Sequence, residues 1–222
     1  MTASEPDRLA EVLGRRDVVV VAGSDAERFL HSQVSQRIEA MEVGAARWTF
    51  VLDPTGKIEG LCRVRRTAEE RFELDTDVGW GQRLLDRLGR FKIRVAAELE
   101  LVESDSRTSD PIDEALRIEI GWPRLGVEIV PGETIPAGTG LVPITVDFTK
   151  GCYPGQELVE RMDSRGSSAP RTLRRLDVEP GTPAGSPVMD GDEEVGVITT
   201  VAGGRALAWI KRSSSVGEPV GS

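Results

Sequence analysis

The chain has 222 residues, of which 39% are hydrophobic, so it is long enough to bury a core as one large domain or two small ones. Its formal net charge is −9, which argues against binding to duplex nucleic acid or to a membrane surface, since both need clustered Lys and Arg. The first residues are polar, which indicates no secretory signal, and no apolar run is long enough for a membrane-spanning helix. We therefore expect a cytoplasmic protein. Two cysteines far apart in sequence predict reduced thiols rather than a disulfide.

The chain begins with a strand followed by a helix. Residues 18–21 form a β-branched run that is typical of a buried strand. The spacing of Ser24 and Glu27 is that of a capping box, which predicts the start of a helix there. Apolar residues at helical spacing continue the buried face of this helix as far as Met41.

A hairpin follows. Residues 48–52 and 57–66 have the pattern of two strands, and Pro and Gly occupy the central positions of the turn at 53–56 between them. Cys62 shares one strand face with apolar neighbours, so we expect a buried and unreactive thiol.

A third strand at 71–75, a helix capped by Asp77 and a strand at 96–102 complete this part of the chain. The order strand, helix, hairpin, strand, helix, strand predicts an α+β domain at 1–110 on an antiparallel sheet. The polar stretch 103–110 marks its boundary.

Residues 111–166 are predicted to connect two domains. The pair at 110 and 111 is Asp-Pro, which predicts the start of a short helix. Arg117 and Glu119 then alternate on an extended or loosely helical segment, where they could face one pocket or form a structural ion pair. A loop rich in Pro and Gly leads to an extended stretch at 142–148.

The C-terminal part, 167–222, alternates short strands and turns after Gly166, a natural helix C-cap. The predicted strands are at 171–178, 187–189, 195–201 and 205–210. This spacing predicts a small β-barrel or sandwich, with residues 213–222 as a frayed tail.

The stretch from Lys150 to Glu157 gathers a cation, a thiol, a phenol, an amide and a carboxylate. Its glycines and Pro154 predict a tight turn, and apolar spacing predicts a helix at 156–162. Cys152 would then precede a helix N-terminus, where the helix dipole and Lys150 favour a thiolate or an anionic ligand. The alternative is a glycine turn before an amphipathic helix, with Cys152 packed and Glu157–Arg161 as a surface pair.

This octapeptide, Lys-Gly-Cys-Tyr-x-Gly-Gln-Glu, resembles the signature of the YgfZ-type folate-binding proteins, relatives of the glycine-cleavage T-protein (aminomethyltransferase). The stretches 29–33, Phe-Leu-x-x-Gln, and 117–121, Arg-x-Glu-x-Gly, resemble the same superfamily, although Arg37 stands where those proteins often carry Asp. The resemblance implies an N-terminal α+β domain, a C-terminal β-barrel, tetrahydrofolate as the ligand and iron–sulfur client proteins as partners. The second α+β half of full-length members is absent before residue 117, which makes this a shortened form.

The candidate site combines the resemblance with the chemistry of the residues. Cys152 is the candidate catalytic residue, and no metal site is expected. Tyr153, the one tyrosine, has the flat face and polar tip that suit stacking on a heteroaromatic ligand, although a packing role fits it equally. The predicted ligand-binding residues are Lys150, Tyr153, Gln156, Glu157, Arg161, Arg117 and Glu119.

Three functions remain open from the sequence. The resemblance implies a folate-binding factor that supports assembly or repair of iron–sulfur proteins rather than a turnover enzyme. A tetrahydrofolate-dependent aminomethyltransferase is the first alternative, but Glu59 stands alone where that reaction in the family uses an acid pair. A thiol-based redox protein using Cys152 is the second. His31 is the one histidine, which argues against a Ser-His-Asp triad or a multi-histidine metal site.

Overall fold

A computed structural model describes residues 13–102, 113–164 and 169–221. Over these ranges the chain is an α+β protein with two five-stranded antiparallel sheets, as the sequence predicted for its class. The predicted domain boundaries at 110 and 166 lie outside the described residues. In the part of the chain that is described, no helix is both long enough and apolar enough to cross a membrane.

The first sheet has the strand order β2-β3-β4-β1-β5, and all neighbours are antiparallel. Its elements are β1 (Arg16–Ala22), α1 (Ala26–Gln33), β2 (Ala46–Leu52), β3 (Ile58–Ala68), β4 (Arg71–Asp77), α2 (Gly81–Gly89) and β5 (Glu98–Val102). This is the predicted order of strand, helix, hairpin, strand, helix and strand.

The two faces of the first sheet bury different partners, because successive side chains of a strand point to opposite faces. Val51 and Cys62 belong to the core that includes Leu30 of α1 and Leu84 of α2. Phe50, next to Val51 in β2, belongs instead to a second core that includes residues from the middle of the chain. The sheet is therefore covered on both faces.

Both predicted helix caps in this part of the chain are wrong. Helix α1 has Asp25 at its N-cap and no side-chain cap, because one Asp25 carboxylate oxygen accepts from the Ala96 N–H at 2.8 Å. Asp77 does not cap α2, since its carboxylate pairs with Arg16 at 2.9 Å and accepts from the Leu125 N–H at 2.8 Å. In both cases long-range partners take the oxygens that local capping would use.

The described residues in the middle of the chain form three short α-helices and a 3-10 turn at Pro136–Gly138. The helices are α3 (Glu114–Ile120), α4 (Val142–Thr145) and α5 (Gln156–Ser164). Asp113 caps α3 by accepting from the Leu116 N–H at 2.9 Å, and the predicted start at 110 lies outside the described residues. The predicted extended stretch at 142–148 is wrong in its first half. Pro143 lies in the first turn of α4, a position that proline tolerates because the N–H it lacks has no partner there. The predicted helix after the signature is confirmed as α5.

The second sheet has the order β10-β6-β9-β8-β7 and is antiparallel throughout. Its strands are β6 (Arg171–Asp177), β7 (Pro187–Asp190), β8 (Glu193–Ala202), β9 (Arg205–Lys211) and β10 (Glu218–Pro219). The four predicted strands are confirmed, and closure of this sheet into a barrel stays a prediction.

The predicted frayed tail is wrong. Strand β10 pairs with β6, and the next residue, Val220, is 5% exposed in a core cluster with Ile118, Leu173 and Leu207. Burial of this apolar side chain holds the end of the described chain against α3 and the second sheet.

Candidate functional site

The signature lies on the face of the first sheet opposite α1 and α2. Tyr153 and Val159 share a core cluster with Phe50 of β2 and with Trp122. The turn before α5 also meets the β2–β3 hairpin turn, because an ideal Cβ on Gly155 would lie 2.5 Å from the carbonyl oxygen of Asp53. The sequence therefore brings the signature and the hairpin turn together at one end of the first sheet.

Lys150 is buried, with 6% exposure, and points away from the solvent. Its Nζ donates to the carbonyl oxygens of His31 and Val34, at 2.5 Å each, where α1 ends, and it lies 4.8 Å from the centre of the Tyr153 ring. Among the described residues no carboxylate lies within ion-pair distance of this ammonium. Burial lowers the pKa of Lys150 to about 8.

Tyr153 and Gln156 hold the turn before α5 together. Tyr153 is 7% exposed, and burial raises the pKa of its phenol to about 12. Its backbone N–H donates to Gln156 Oε1 at 3.2 Å, and Gln156 Nε2 donates to Glu160 Oε1 at 2.5 Å. The Tyr153 ring therefore contacts both the core and the Lys150 ammonium, and stacking of this ring on a ligand stays a prediction.

The two cysteines lie in opposite environments. Cys152 is an exposed free thiol at the signature turn, whereas Cys62 is fully buried in β3. Burial raises the pKa of the Cys62 thiol. The predicted burial of Cys62 is therefore confirmed, and Cys152 is the thiol within reach of a solvent-borne reagent.

Glu157 and Arg161 are exposed on α5 and line an open cleft of about 560 Å³ beside Phe148. Glu160 and Asp163 line the same cleft, so its charged side chains are three carboxylates and one guanidinium. This outer face of α5 is acidic, which makes it a poor match for an anionic ligand.

Arg117 and Glu119 do not face one pocket. Arg117 is completely buried, and its guanidinium donates to Glu128 at 3.1 Å and to Thr200 Oγ1 at 3.0 Å, which links α3 to β8. Glu119 is exposed on the other side of α3 and pairs with Arg205. The geometry fits the structural alternative for Arg117, because its fully buried guanidinium is held by protein groups, which include buried Glu128 and partly exposed Glu114.

Arg37, which stands where the resembling proteins often carry Asp, contacts the loop before the signature. Its Nε donates to Asp147 Oδ2 at 2.9 Å, and Nη2 donates to Thr149 Oγ1 at 3.2 Å. Hydrogen bonds from Thr149, with smaller contributions from Arg37, lower the pKa of Asp147 to about 2. The reversed charge at position 37 thus has a carboxylate partner in this chain.

The sequence motifs did not identify Arg87 as a candidate site residue. Although it lies on α2, its side chain is 5% exposed, and it donates to the Leu52 carbonyl at 2.6 Å and to Gln33 Oε1 at 3.3 Å. The available signal was its place on the apolar face of the helix, between Leu84 and Leu88. A charged residue at a buried helical position needs a partner, and here both partners are neutral.

Comparison with known proteins places this geometry in context. No model of a known protein family matches the chain. A Haemophilus influenzae protein described as uncharacterized is 27% identical over 194 residues, which cover 70% of this chain and 69% of that protein. The crystal structure of the glycine cleavage system aminomethyltransferase T from Bartonella henselae matches with a TM-score of 0.76 at 16% identity, over 88% of this chain and 76% of that one. The chain shares the fold of that enzyme. The resemblance to the T-protein superfamily is thus supported at the level of the fold.

Proposed function

We propose that the protein binds a reduced folate where the signature turn meets the end of the first sheet, and that it acts as a YgfZ-like factor in the assembly or repair of iron–sulfur proteins. The signature residues and the shared fold support this assignment. The folate is tetrahydrofolate or a derivative, and the partners are iron–sulfur client proteins.

One observation carries the proposal: two buried cations, Lys150 and Arg87, both donate to groups at the C-terminal end of α1. Lys150 donates to the His31 and Val34 carbonyls, and Arg87 donates to the Gln33 side chain. Among the described residues neither cation has a carboxylate partner within ion-pair distance. Buried charges without counter-charges are costly, and a folate, which is anionic, fits this end of the sheet by charge.

An enzyme role for Glu59 has less support than a binding role. Glu59 forms an ion pair with Arg83, with Oε2 2.7 Å from Nη2. This ion pair engages the Glu59 carboxylate within the protein. We therefore expect folate binding without aminomethyl transfer.

Supplying the lipoyl-bound aminomethyl substrate together with tetrahydrofolate tests this distinction. We expect no methylene-tetrahydrofolate above the uncatalysed rate, whereas a bona fide aminomethyltransferase run in parallel produces it. Rapid turnover that is lost in Glu59→Gln would contradict the binding role and establish the transferase.

The exposure of Cys152 favours a second candidate, a thiol-based redox protein. The folate-binding factor and the redox protein are distinguished by measuring iron–sulfur enzyme activity in cells from which the gene for this protein is deleted. These cells are supplied with either the wild-type protein or the Cys152→Ser variant. Under our proposal the wild type restores that activity and the purified protein binds folate. A protein that forms a reversible Cys152 sulfenate with hydrogen peroxide but has no affinity for folate would be a redox sensor instead.

A further inference from the structure

Arg87 is a buried guanidinium whose donors are only partly used. Nη2 donates to the Leu52 carbonyl at 2.6 Å, and Nη1 donates to Gln33 Oε1 at 3.3 Å. Its Nε is buried and has no hydrogen-bond partner among the residues that the structure describes. Since a guanidinium has five N–H donors, this side chain retains unused donors in a place that water does not reach freely.

The carboxylates near Arg87 are committed to other groups. Glu59 pairs with Arg83, and Asp53 Oδ1 accepts from Thr55 and from the Lys57 N–H at 3.0 Å. Their negative charges favour the Arg87 cation from a distance, but burial dominates and lowers its pKa. With no counter-ion in contact among the described residues, Arg87 is a buried cation at the base of the hairpin turn whose charge is balanced only from a distance.

One face of the Arg87 guanidinium is covered by the ring of Phe91, with the centre of the ring 4.1 Å away. Phe91 is itself 38% exposed, so the stacked ring reaches the protein surface. Arg83 and Arg90 lie one turn before and after Arg87 on the same side of α2, and both are exposed. Glu59 and Asp53 offset these two positive charges, so the Arg87 guanidinium lies in a cluster of mixed charge in a chain whose net charge is −9.

We infer that Arg87 binds a glutamyl carboxylate of the folate, in the plane of its guanidinium, through its unused Nε and a neighbouring N–H. This inference rests on the proposed function, because it assigns the anionic end of that ligand. A carboxylate matches the fork of a guanidinium in a bidentate contact, and the contact is strong where water is excluded. The side chains that approach the carboxylate are those of Arg87 and Phe91, with Gln33 behind the guanidinium.

A cycle of variants and ligands tests the assignment. The ligands are 5-formyltetrahydrofolate and its dimethyl ester, in which the glutamyl carboxylates are neutral. The variants are Arg87→Met and, as a matched control, Arg90→Met, which removes the same charge from an exposed position. By calorimetry we expect Arg87→Met to weaken binding of the free acid at least about tenfold, and to leave binding of the ester within about twofold. Arg90→Met should leave both affinities within about twofold.

Two results would overturn the inference. If Arg87→Met weakens binding of the acid and the ester equally, Arg87 has a structural role, and if it weakens neither, it has no role in binding. In both cases the wild type still binds folate, so the proposed function survives. If the folded wild type does not bind folate, the proposed function and the inference about Arg87 are both wrong. Should Arg87→Met fail to fold, Arg87→Lys takes its place in the cycle, since it keeps the charge but loses the fork and is expected to weaken only the acid.

Discussion

Gly155 lies directly against the backbone of Asp53, with an ideal Cβ position 2.5 Å from the Asp53 carbonyl oxygen. Its φ is +82°, in the left-handed region that only glycine adopts readily. Gly56 lies in the same contact, since its Cα is 2.7 Å from the ideal Cβ position of Gly155. The hairpin turn and the signature turn are therefore joined backbone to backbone, and a side chain at 155 would push them apart.

Replacement of Gly155 by alanine is expected to destabilise the protein more than its backbone angle alone requires. The control is Gly185→Ala, because Gly185 has a φ of +87° and no atom of the described residues lies within 4 Å of its ideal Cβ position. Gly185→Ala should lower the free energy of unfolding by about 1–2 kcal/mol, because alanine disfavours the left-handed conformation. Gly155→Ala should lower it by about 1–3 kcal/mol or more beyond that, because the added methyl group overpacks the contact between the two turns. Urea unfolding of the two variants measures the difference. Equal losses would mean that the two turns are not in tight contact.

Burial of Lys150 predicts a specific pH dependence of stability. The pKa of this ammonium falls from 10.5 to about 8 on folding, so between those values the unfolded chain holds more protons than the folded one. The contribution of Lys150 to the free energy of unfolding should therefore rise with pH across this window, by up to about 1.4 kcal/mol per pH unit. Below about pH 8 it should be flat, because both states hold the proton.

The measurement is the free energy of unfolding of the wild type minus that of Lys150→Met, from denaturant titrations across the window. Lys211→Met serves as the control for loss of a lysine charge, because Lys211 is an exposed lysine that pairs with Glu193. A difference for Lys150 that is constant, or that falls as pH rises, would show that the ammonium is not buried.

The two cysteines should react at very different rates. With iodoacetamide and mass spectrometry, we expect Cys152 to be alkylated in the folded protein and Cys62 only after unfolding. Because unfolding of a typical domain costs about 5 kcal/mol or more, Cys62 should be slower by at least about a thousandfold. Denatured protein, in which both thiols react alike, is the control. Rapid alkylation of Cys62 in the folded protein would contradict its place in the core.

Arg117 should prove to be a residue of the protein core and not of the ligand site. Arg117→Met leaves the buried Glu128 carboxylate without its counter-ion and is expected to cost about 3–5 kcal/mol. Arg124→Met, which breaks a half-exposed pair with Glu114, should cost less than about 1 kcal/mol. Folate affinity of folded Arg117→Met should match that of the wild type. A loss of affinity without a loss of stability would return Arg117 to the ligand site.

Local patterns predicted the elements that depend on local chemistry. The hairpin was predictable because Pro54 and Gly56 punctuate two extended runs, and α5 because its apolar residues recur at helical spacing after Gly155. The helix caps and the packing of the C-terminal tail were not predictable from local patterns, because Asp77 and Val220 contact residues that are distant in sequence.

The candidate site was predictable as a segment but not as a geometry. The octapeptide marks the signature turn, yet nothing in it shows that Lys150 donates to carbonyls at 31 and 34. Arg87 and Gln33 come together only because α1, α2 and the end of β2 meet. Contacts between residues more than 50 positions apart are fixed by packing of the whole sheet, and local periodicity does not encode them.

Titration calorimetry of the folded wild type with 5-formyltetrahydrofolate tests the central claim most directly. The account predicts saturable binding of one folate per chain, with loss of affinity in Lys150→Met because the buried cation beside the signature turn is removed. Lys211→Met, which removes the same charge from an exposed strand position, should bind as the wild type does. No heat above dilution at millimolar ligand, with the protein shown to be folded in the same buffer, would contradict the account.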